Sequence, residues 1–347
     1  MIQIGSKKVG AGQPVFIIAE LSANHNQSFD QAVRIVHAAK EAGVDAVKLQ
    51  TYTADTITIS SDRECFRIKG GTLWDGRTLY DLYNEAFTPW EWQPKLKELC
   101  DELGLDFFSS AFDPTAVDFL ENMGVPVHKI ASPELVDLPL IQKMARTGKP
   151  LILSTGMATV EEIEEAIAAA RNAGARQLAL LRCTSAYPAP PDEMNLRSIP
   201  DMMQRFGLPV GLSDHTPGIA VSVAAVSLGA SLIEKHLTIS RAEGGPDSAF
   251  SLEPQEFKAL VDSIRCAEKA LGVVQYGPTP HEIKTRAYRR SLFVVRELKK
   301  GDLFTSENVR SIRPADGLHP RHLSEVIGRH AAVDIERGTP VTWELVE

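Results

Sequence analysis

Ionisable and hydroxylic residues collect at the ends of short apolar runs in this chain, and their types suggest chemistry on a small anionic molecule. Lys48 and Lys129 each end such a run, while Ser110, Ser132, Ser154 and Ser213 end others. Ammonium groups among hydroxyls form an anion pocket, suited to a phosphate and to a carboxylate on the same molecule. The plainer alternative is that each lysine forms an ordinary ion pair. His215 and His236 end two consecutive runs. Two neutral imidazoles side by side make a partial site for a divalent ion, with water and substrate oxygens in the open positions. Either histidine alone could instead be a hydrogen-bonded structural residue. Glu20 closes the first run, and Glu134 follows the fourth in Ala131-Ser132-Pro133-Glu134. Carboxyls there can exchange protons with a reacting oxygen or carbon, or else cap a helix or orient a lysine. Asp247, in Gly244-Gly245-Pro246-Asp247-Ser248, could bind hydroxyls or simply form the turn.

The runs that carry these residues are Phe16–Glu20, Ala46–Gln50, Asp106–Ser110, Val127–Ser132, Leu151–Thr155, Leu178–Cys183, Val210–His215 and Leu232–His236. Each is followed by a helix-like stretch, such as Asp30–Ala42 ending at Gly43 or Val160–Ala173 ending at Gly174. Strands alternating with helices predict a parallel sheet, and eight such units close into a (β/α)8 TIM barrel with its active site at the carboxyl ends of the strands. Met1–Val15 alternates and turns at Gly5–Lys8, which predicts a hairpin ahead of the barrel. The stretch from Tyr52 to Pro89 is too long for an ordinary strand-to-helix loop and holds Trp74, Tyr80 and Tyr83, so it is a candidate sugar-binding lid.

At 347 residues, 44% of them hydrophobic, the chain has core enough for one barrel of roughly 250 residues and a small extra domain. Residues 1–271 read as the barrel, 272–290 as a linker rich in Gly, Pro and then basic residues, and 291–347 as a compact unit with short strands at Leu292–Val295 and Val341–Leu345. A unit that small is expected to lean on the barrel or on a partner subunit. A net charge of −8 leaves no electrostatic footprint for nucleic acid or an anionic membrane. The apolar stretches are too short and interrupted for a membrane span, Met1–Gly12 lacks a secretory core, and the four cysteines are scattered. These features predict a cytoplasmic protein with reduced thiols.

Taken in order, these segments resemble the sialic acid synthase family over essentially the whole chain. The segments are Ala19-Glu20-Leu21-Ser22-Ala23-Asn24-His25-Asn26, Val47-Lys48-Leu49-Gln50-Thr51, Lys129-Ile130-Ala131-Ser132-Pro133-Glu134, Leu153-Ser154-Thr155-Gly156-Met157, Leu212-Ser213-Asp214-His215-Thr216 and Glu234-Lys235-His236. The tail resembles the family's antifreeze-like (SAF, β-clip) domain, with Arg313-Pro314-Ala315-Asp316-Gly317-Leu318 matching its site-reaching loop. Three differences set the chain apart from the N-acetylneuraminate branch: Asn26-Gln27, the Thr78–Tyr83 and Thr88–Trp92 stretches, and Pro246–Ser251. They fall in loops expected to face the sugar and are closer to the branch whose acceptor is 2,4-diacetamido-2,4,6-trideoxy-altrose. In Cys183-Thr184-Ser185-Ala186-Tyr187-Pro188 the family's usual Cys-Thr-Asn is altered, leaving Thr184 and Ser185 as the two candidates for its phosphate-binding role.

The resemblance implies condensation of phosphoenolpyruvate with an open-chain acetamido-sugar aldehyde, by C–O cleavage and release of phosphate. It implies that Lys48, Ser110, Lys129, Ser132, Ser154, Ser213 and either Thr184 or Ser185 hold phosphoenolpyruvate. His215 and His236 would hold a divalent metal, Mn²⁺ first and Mg²⁺ or Co²⁺ as alternatives. Glu134 and then Glu20 would transfer protons, and Gln50, Tyr187, Asp247 and Arg313 would contact the sugar. Arg313 would come from the tail of the other subunit in a domain-swapped homodimer. Alternative acceptors are those of the N-acetylneuraminate and legionaminate enzymes. A Schiff-base aldolase using Lys129 or Lys235, or a binding protein whose tail recognises a ligand or ice, are rival readings from other classes.

Overall fold

The computed structural model describes residues 1–347 and divides into two compact units, Met1–Gly272 and Val273–Glu347. The first begins with an antiparallel hairpin, β1 (Ile2–Ile4) and β2 (Lys7–Val9), with Ile2 opposite Val9. Eight parallel strands follow: β3 (Phe16–Glu20), β4 (Ala46–Thr51), β5 (Asp106–Ala111), β6 (His128–Ile130), β7 (Leu151–Ser154), β8 (Leu178–Cys183), β9 (Val210–Asp214) and β10 (Leu232–His236). They pair in sequence order and β10 closes on β3, giving a TIM barrel. Nearly every strand residue is buried, because helices cover the outer face and side chains fill the interior. Phe16, Phe107, Phe108, Ile17 and Ile18 are among the largest fully buried side chains. Each such side chain contributes about 1.5–3 kcal/mol relative to exposure.

Helix boundaries follow local chemistry. The helix Phe29–Ala42 starts where the Ser28 hydroxyl accepts from the Gln31 amide and stops at Gly43, whose φ of 86° few other residues adopt. Helix Val160–Asn172 opens with a reciprocal capping box between Thr159 and Glu162. These short, well-stopped helices return the chain to the same end of the barrel each time, so all eight strand carboxyl ends share one mouth. No helix is long and apolar enough to cross a membrane.

The second unit pairs β11 (Ser291–Val294) with β12 (Val309–Ile312) in antiparallel fashion around Leu292, Val294, Phe304, Val309 and Val341. The strand expected at Val341–Leu345 is absent, and Trp343–Leu345 is a single 3₁₀ turn. Val341 exchanges its backbone bonds with Leu292 and Leu318, but the preceding Pro340 has no N–H to extend that contact into a ladder. The stretch read as a linker contains two helical turns, Pro280–Ile283 and Lys284–Tyr288.

Candidate active site at the barrel mouth

Strand parity decides which polar residues reach the mouth. Residues paired in register on parallel strands face the same side, and successive residues alternate sides. Glu20 pairs with Lys48 and with His236, Gln50 with Ser110, Ser110 with Lys129, Cys183 with Ser213, and Ser213 with Glu234. The register thus joins them all on the inner face. Their sequence neighbours Ser109, His128, Asp214 and Lys235 face outward. There the Lys235 ammonium lies 2.9 Å from Asp214 and donates to the Thr216 carbonyl at 2.7 Å.

The inner side chains form a buried belt of alternating charge. Lys48 Nζ lies 2.5 Å from Glu20 Oε2 and 3.6 Å from Glu234 Oε1, and donates to Ser110 Oγ at 3.2 Å. Lys129 Nζ donates to Ser154 Oγ at 2.6 Å and to the Ile130 carbonyl at 3.1 Å, and lies 4.0 Å from Glu234 Oε2. Ser213 donates to Glu234 Oε1 at 3.2 Å. Burial pushes the Glu20 carboxyl up to about 7 against the pull of Lys48. Burial also works against charge on Lys48, but Glu20 and Glu234 outweigh it and raise that pKa. For Lys129 burial prevails, and its pKa falls despite Glu234. Glu20 Oε1, Glu234 Oε2 and Ser185 Oγ are buried with no hydrogen-bond partner. Buried polar atoms are rarely left unpaired, so an inner face with several is shaped for a ligand that completes them.

Above the belt lies a cavity of about 390 Å³, within the roughly 300–1,000 Å³ of small-molecule sites. Lys48, Lys129, Ser110, Ser132, Ser154 and Ser213 all line it, as do Gln50, Tyr187 and Asp247. Gly156, just past β7, makes room for the hydroxyls: a Cβ there would sit 2.7 Å from Ser132 Oγ and also collide with Ser185 Oγ. The Gly156 amide donates to Ser132 Oγ at 3.1 Å, so two hydroxyls and a backbone N–H converge on one small concavity. Of the two candidates after β8, Ser185 lines the cavity, whereas the Thr184 hydroxyl turns away to the Glu193 carbonyl at 3.3 Å. Thr184 is therefore not a cavity contact.

Glu134 also departs from expectation. It sits on the 3₁₀ turn Pro133–Val136, one residue beyond the lining residues Ser132 and Pro133, and does not itself line the cavity. Burial raises its pKa to about 7, and its Oε2 has no partner. Asp247 is more than a turn former. It accepts from the Ser22 hydroxyl and, at 3.2 Å, from the Ala23 amide, which pins the loop after β10 over the end of β3. Gln27, expected to face the sugar, instead donates to the Glu85 and Phe87 carbonyls at 2.9 and 2.7 Å and fastens the far end of the Tyr52–Pro89 segment. That segment supplies a wall of the cavity through Leu79, Leu82, Tyr83 and Trp74.

His215 and His236 stand edge to face with ring centroids 5.3 Å apart. His215 Nδ1 is 3.2 Å from the Thr184 carbonyl oxygen, which only a protonated Nδ1 can bond, so Nε2 is left with its lone pair. Burial disfavours charge on His215, but the Cys183 sulfur as thiolate, the Thr184 carbonyl and Glu234 together outweigh this and raise its pKa. His236 is held neutral by burial and by His215 and Lys48, and its Nδ1 is unpartnered 4.0 Å from Asp247. No third His, Cys, Asp or Glu completes a metal cluster. The pair fits a borderline divalent ion whose other positions fall to water and substrate.

Arg313 belongs to the second unit, where it borders a basic pocket with Arg286, Arg289 and Arg290. Sequence reasoning missed Glu234, the carboxylate between both lysines, and Cys183 beside His215. The signal for Glu234 was its place two residues before His236, on the same face of one strand.

Comparisons with known proteins identify the family to which the chain belongs. Residues 35–276 match the NeuB family and residues 289–347 match the SAF domain. Pseudaminic acid synthase of Helicobacter pylori is 44% identical over 336 residues, covering 96% of this chain and 98% of its own. N,N'-diacetyllegionaminic acid synthase of Legionella pneumophila is 38% identical, covering 99% and 98%. Among solved structures, the N-acetylneuraminic acid synthetase of Leptospira borgpetersenii, in complex with citrate, superposes with a TM-score of 0.73 at 31% identity, covering 82% of this chain and 94% of that one.

Proposed function

Because the chain belongs to the NeuB family and ends in a SAF domain, we propose that it is a transferase that makes pseudaminic acid. It condenses phosphoenolpyruvate with 2,4-diacetamido-2,4,6-trideoxy-β-L-altrose and water, releasing phosphate by C–O cleavage. The convergence of two buried lysines, a hydroxyl-lined concavity and a histidine pair in one cavity supports the chemistry. The relatives named for pseudaminic acid support the choice of acceptor.

Lys48, Lys129, Ser110, Ser132, Ser154, Ser185 and Ser213 hold phosphoenolpyruvate, with the phosphate set among the lysine ammonium groups and the serine hydroxyls. His215 and His236 would hold a divalent ion, Mn²⁺ in this reading, whose chemistry when bound is Lewis-acid polarisation of the aldehyde oxygen. The methylene carbon of phosphoenolpyruvate attacks the aldehyde carbon, and water adds to the resulting oxocarbenium-like carbon to give a tetrahedral phosphohemiketal. Loss of phosphate from that carbon leaves the keto acid. Glu20 lines the cavity and carries a carboxyl near 7, so it transfers a proton at the reacting oxygens. Glu134 has a carboxyl also near 7 but sits outside the cavity lining, so it ranks second for proton transfer. Gln50, Tyr187 and Asp247 contact the sugar.

The protein works in the cytoplasm as a domain-swapped homodimer in which Arg313 enters the partner's mouth. The exposure of Val273, Val274 and Tyr276, at 83, 91 and 94%, supports a second copy covering this stretch. Mixing Lys129→Met protein with Arg313→Ala protein should restore activity neither has alone, and no restoration would count against the exchange. The acceptor is tested by phosphate release from phosphoenolpyruvate with Mn²⁺, offering the altrose sugar, N-acetylmannosamine and the legionaminate precursor separately. Release with the altrose sugar is expected; release only with another sugar would overturn the substrate assignment.

A further inference from the structure

The cavity is chemically divided, and the division orients the sugar within it. Strand ends supply the charged and hydroxylic floor, whereas the Tyr52–Pro89 segment supplies Ile68, Leu79, Leu82 and Ala86. The Ile68, Leu79, Leu82 and Ala86 side chains offer no polar atom, and two polar groups beside them are already occupied. The Trp74 indole N–H donates to the Pro246 carbonyl at 3.2 Å, leaving only its face. The Thr72 hydroxyl donates to Asp75 at 2.7 Å. Tyr83 packs its ring edge-on against Tyr52, 5.6 Å between centroids. A ligand hydroxyl pressed against Ile68, Leu79 and Leu82 would lose its water without gaining a partner from them.

The aldehyde carbon must lie at the floor, beside the histidine pair. The far end of an open-chain hexose, carbon 6, then extends toward the apolar wall. We infer that the Ile68–Leu79–Leu82 face is a specificity element that receives the methyl group of a 6-deoxy acceptor and rejects the same sugar carrying a hydroxyl at carbon 6. The inference rests on the proposed condensation and adds the feature of the acceptor that the long segment reads. Stereochemistry nearer the aldehyde is left to Gln50, Tyr187 and Asp247.

The test uses two acceptors differing by one oxygen, 2,4-diacetamido-2,4,6-trideoxy-altrose and its 6-hydroxy counterpart, with phosphate release as the readout. The native protein should favour the 6-deoxy sugar in kcat/KM by about tenfold to a hundredfold, the discrimination an apolar pocket achieves against an added polar atom. Leu79→Asn, nearly isosteric, should bring the ratio close to one, chiefly by loss on the 6-deoxy sugar, with the KM for phosphoenolpyruvate unchanged. Ile68→Thr serves as a second variant should Leu79→Asn fold poorly. Equal use of both sugars by the native protein, or an unchanged ratio in both variants, would overturn the inference and leave the condensation standing. No turnover of either sugar would overturn the condensation, and this inference with it.

Discussion

Lys129 and Lys235 are both lysines buried at the ends of barrel strands, and they live in opposite kinds of surroundings. Lys235 faces outward and is fully matched: Asp214 holds it at 2.9 Å and the Thr216 carbonyl accepts from it, while Asp214 itself also accepts from Ser222 and from the hydroxyl and amide of Thr216. Lys129 faces inward, sits 4.0 Å from the nearest carboxylate, and shares its face with carboxyl, hydroxyl and imidazole atoms that have no partners. Burial of charge is therefore no sign of function by itself. Completed hydrogen bonding marks the outer pair as part of the scaffold that sets the spacing of β9 and β10. Incomplete bonding marks the inner belt as a surface waiting for phosphate, carboxylate and aldehyde oxygens.

The contrast can be broken most severely at the histidines. His236→Ala should lower phosphate release by about a thousandfold, the several kcal/mol expected from losing a Lewis acid. It should also abolish the response to added divalent ion, with little change in thermal stability. Retained activation by Mn²⁺ in that variant would remove His236 from the metal site.

A smaller effect should follow from filling the phosphate concavity. Gly156→Ala brings a methyl group against Ser132 and Ser185. Overpacking of this kind costs about 1–3 kcal/mol, or roughly tenfold to a hundredfold in Kd for phosphoenolpyruvate if it is relieved by displacing the serines. Calorimetric titration of phosphoenolpyruvate would show it, and an unchanged Kd would move the phosphate elsewhere.

An effect on stability alone, with no loss of binding, is expected from pH at Glu134. Its folded pKa of about 7 lies above the ordinary 4.5, so the fold favours the protonated form. That contribution is fully present below about 4.5 and is lost as pH rises through about 7, up to about 3 kcal/mol in all. Glu134→Gln should remove it, so the variant should gain on the native protein in melting temperature between pH 4.5 and 7 and hold that gain above. A difference that does not vary with pH would show that Glu134 is not perturbed.

The barrel was legible because apolar runs ending in polar residues recur with Gly-stopped helices between them, and β3, β8 and β10 carry the boundaries the pattern predicted. Lys48, Ser110, Lys129, Ser154, Ser213 and His236 were legible for a related reason, since each lies within a strand on the side that parity turns inward, whereas Ser132 and His215 lie just past their strands. Legibility failed where the regular backbone ends. Thr184 and Ser185 lie beyond the last residue of β8, so alternation no longer determines which one points inward. Glu134 follows a strand that stops at Ile130, and a 3₁₀ turn carries it past the cavity. The long segment was recognisable as a wall by its length, but Gln27 as its anchor was not, because that bond spans two loops distant in sequence.

The most direct measurement compares Lys129→Met with Lys235→Met, two identical substitutions on opposite faces of the barrel, in phosphoenolpyruvate affinity and in unfolding free energy. Lys129→Met should weaken binding by at least about a hundredfold, losing a buried cation from the anion pocket, and should keep or gain stability because it relieves a desolvated charge. Lys235→Met should leave Asp214 buried without its cation and lose about 3–5 kcal/mol of stability, with affinity for phosphoenolpyruvate preserved in the folded protein. The opposite pattern, binding lost with Lys235 and stability lost with Lys129, would contradict the division between a scaffolding outer face and a ligand-holding inner one.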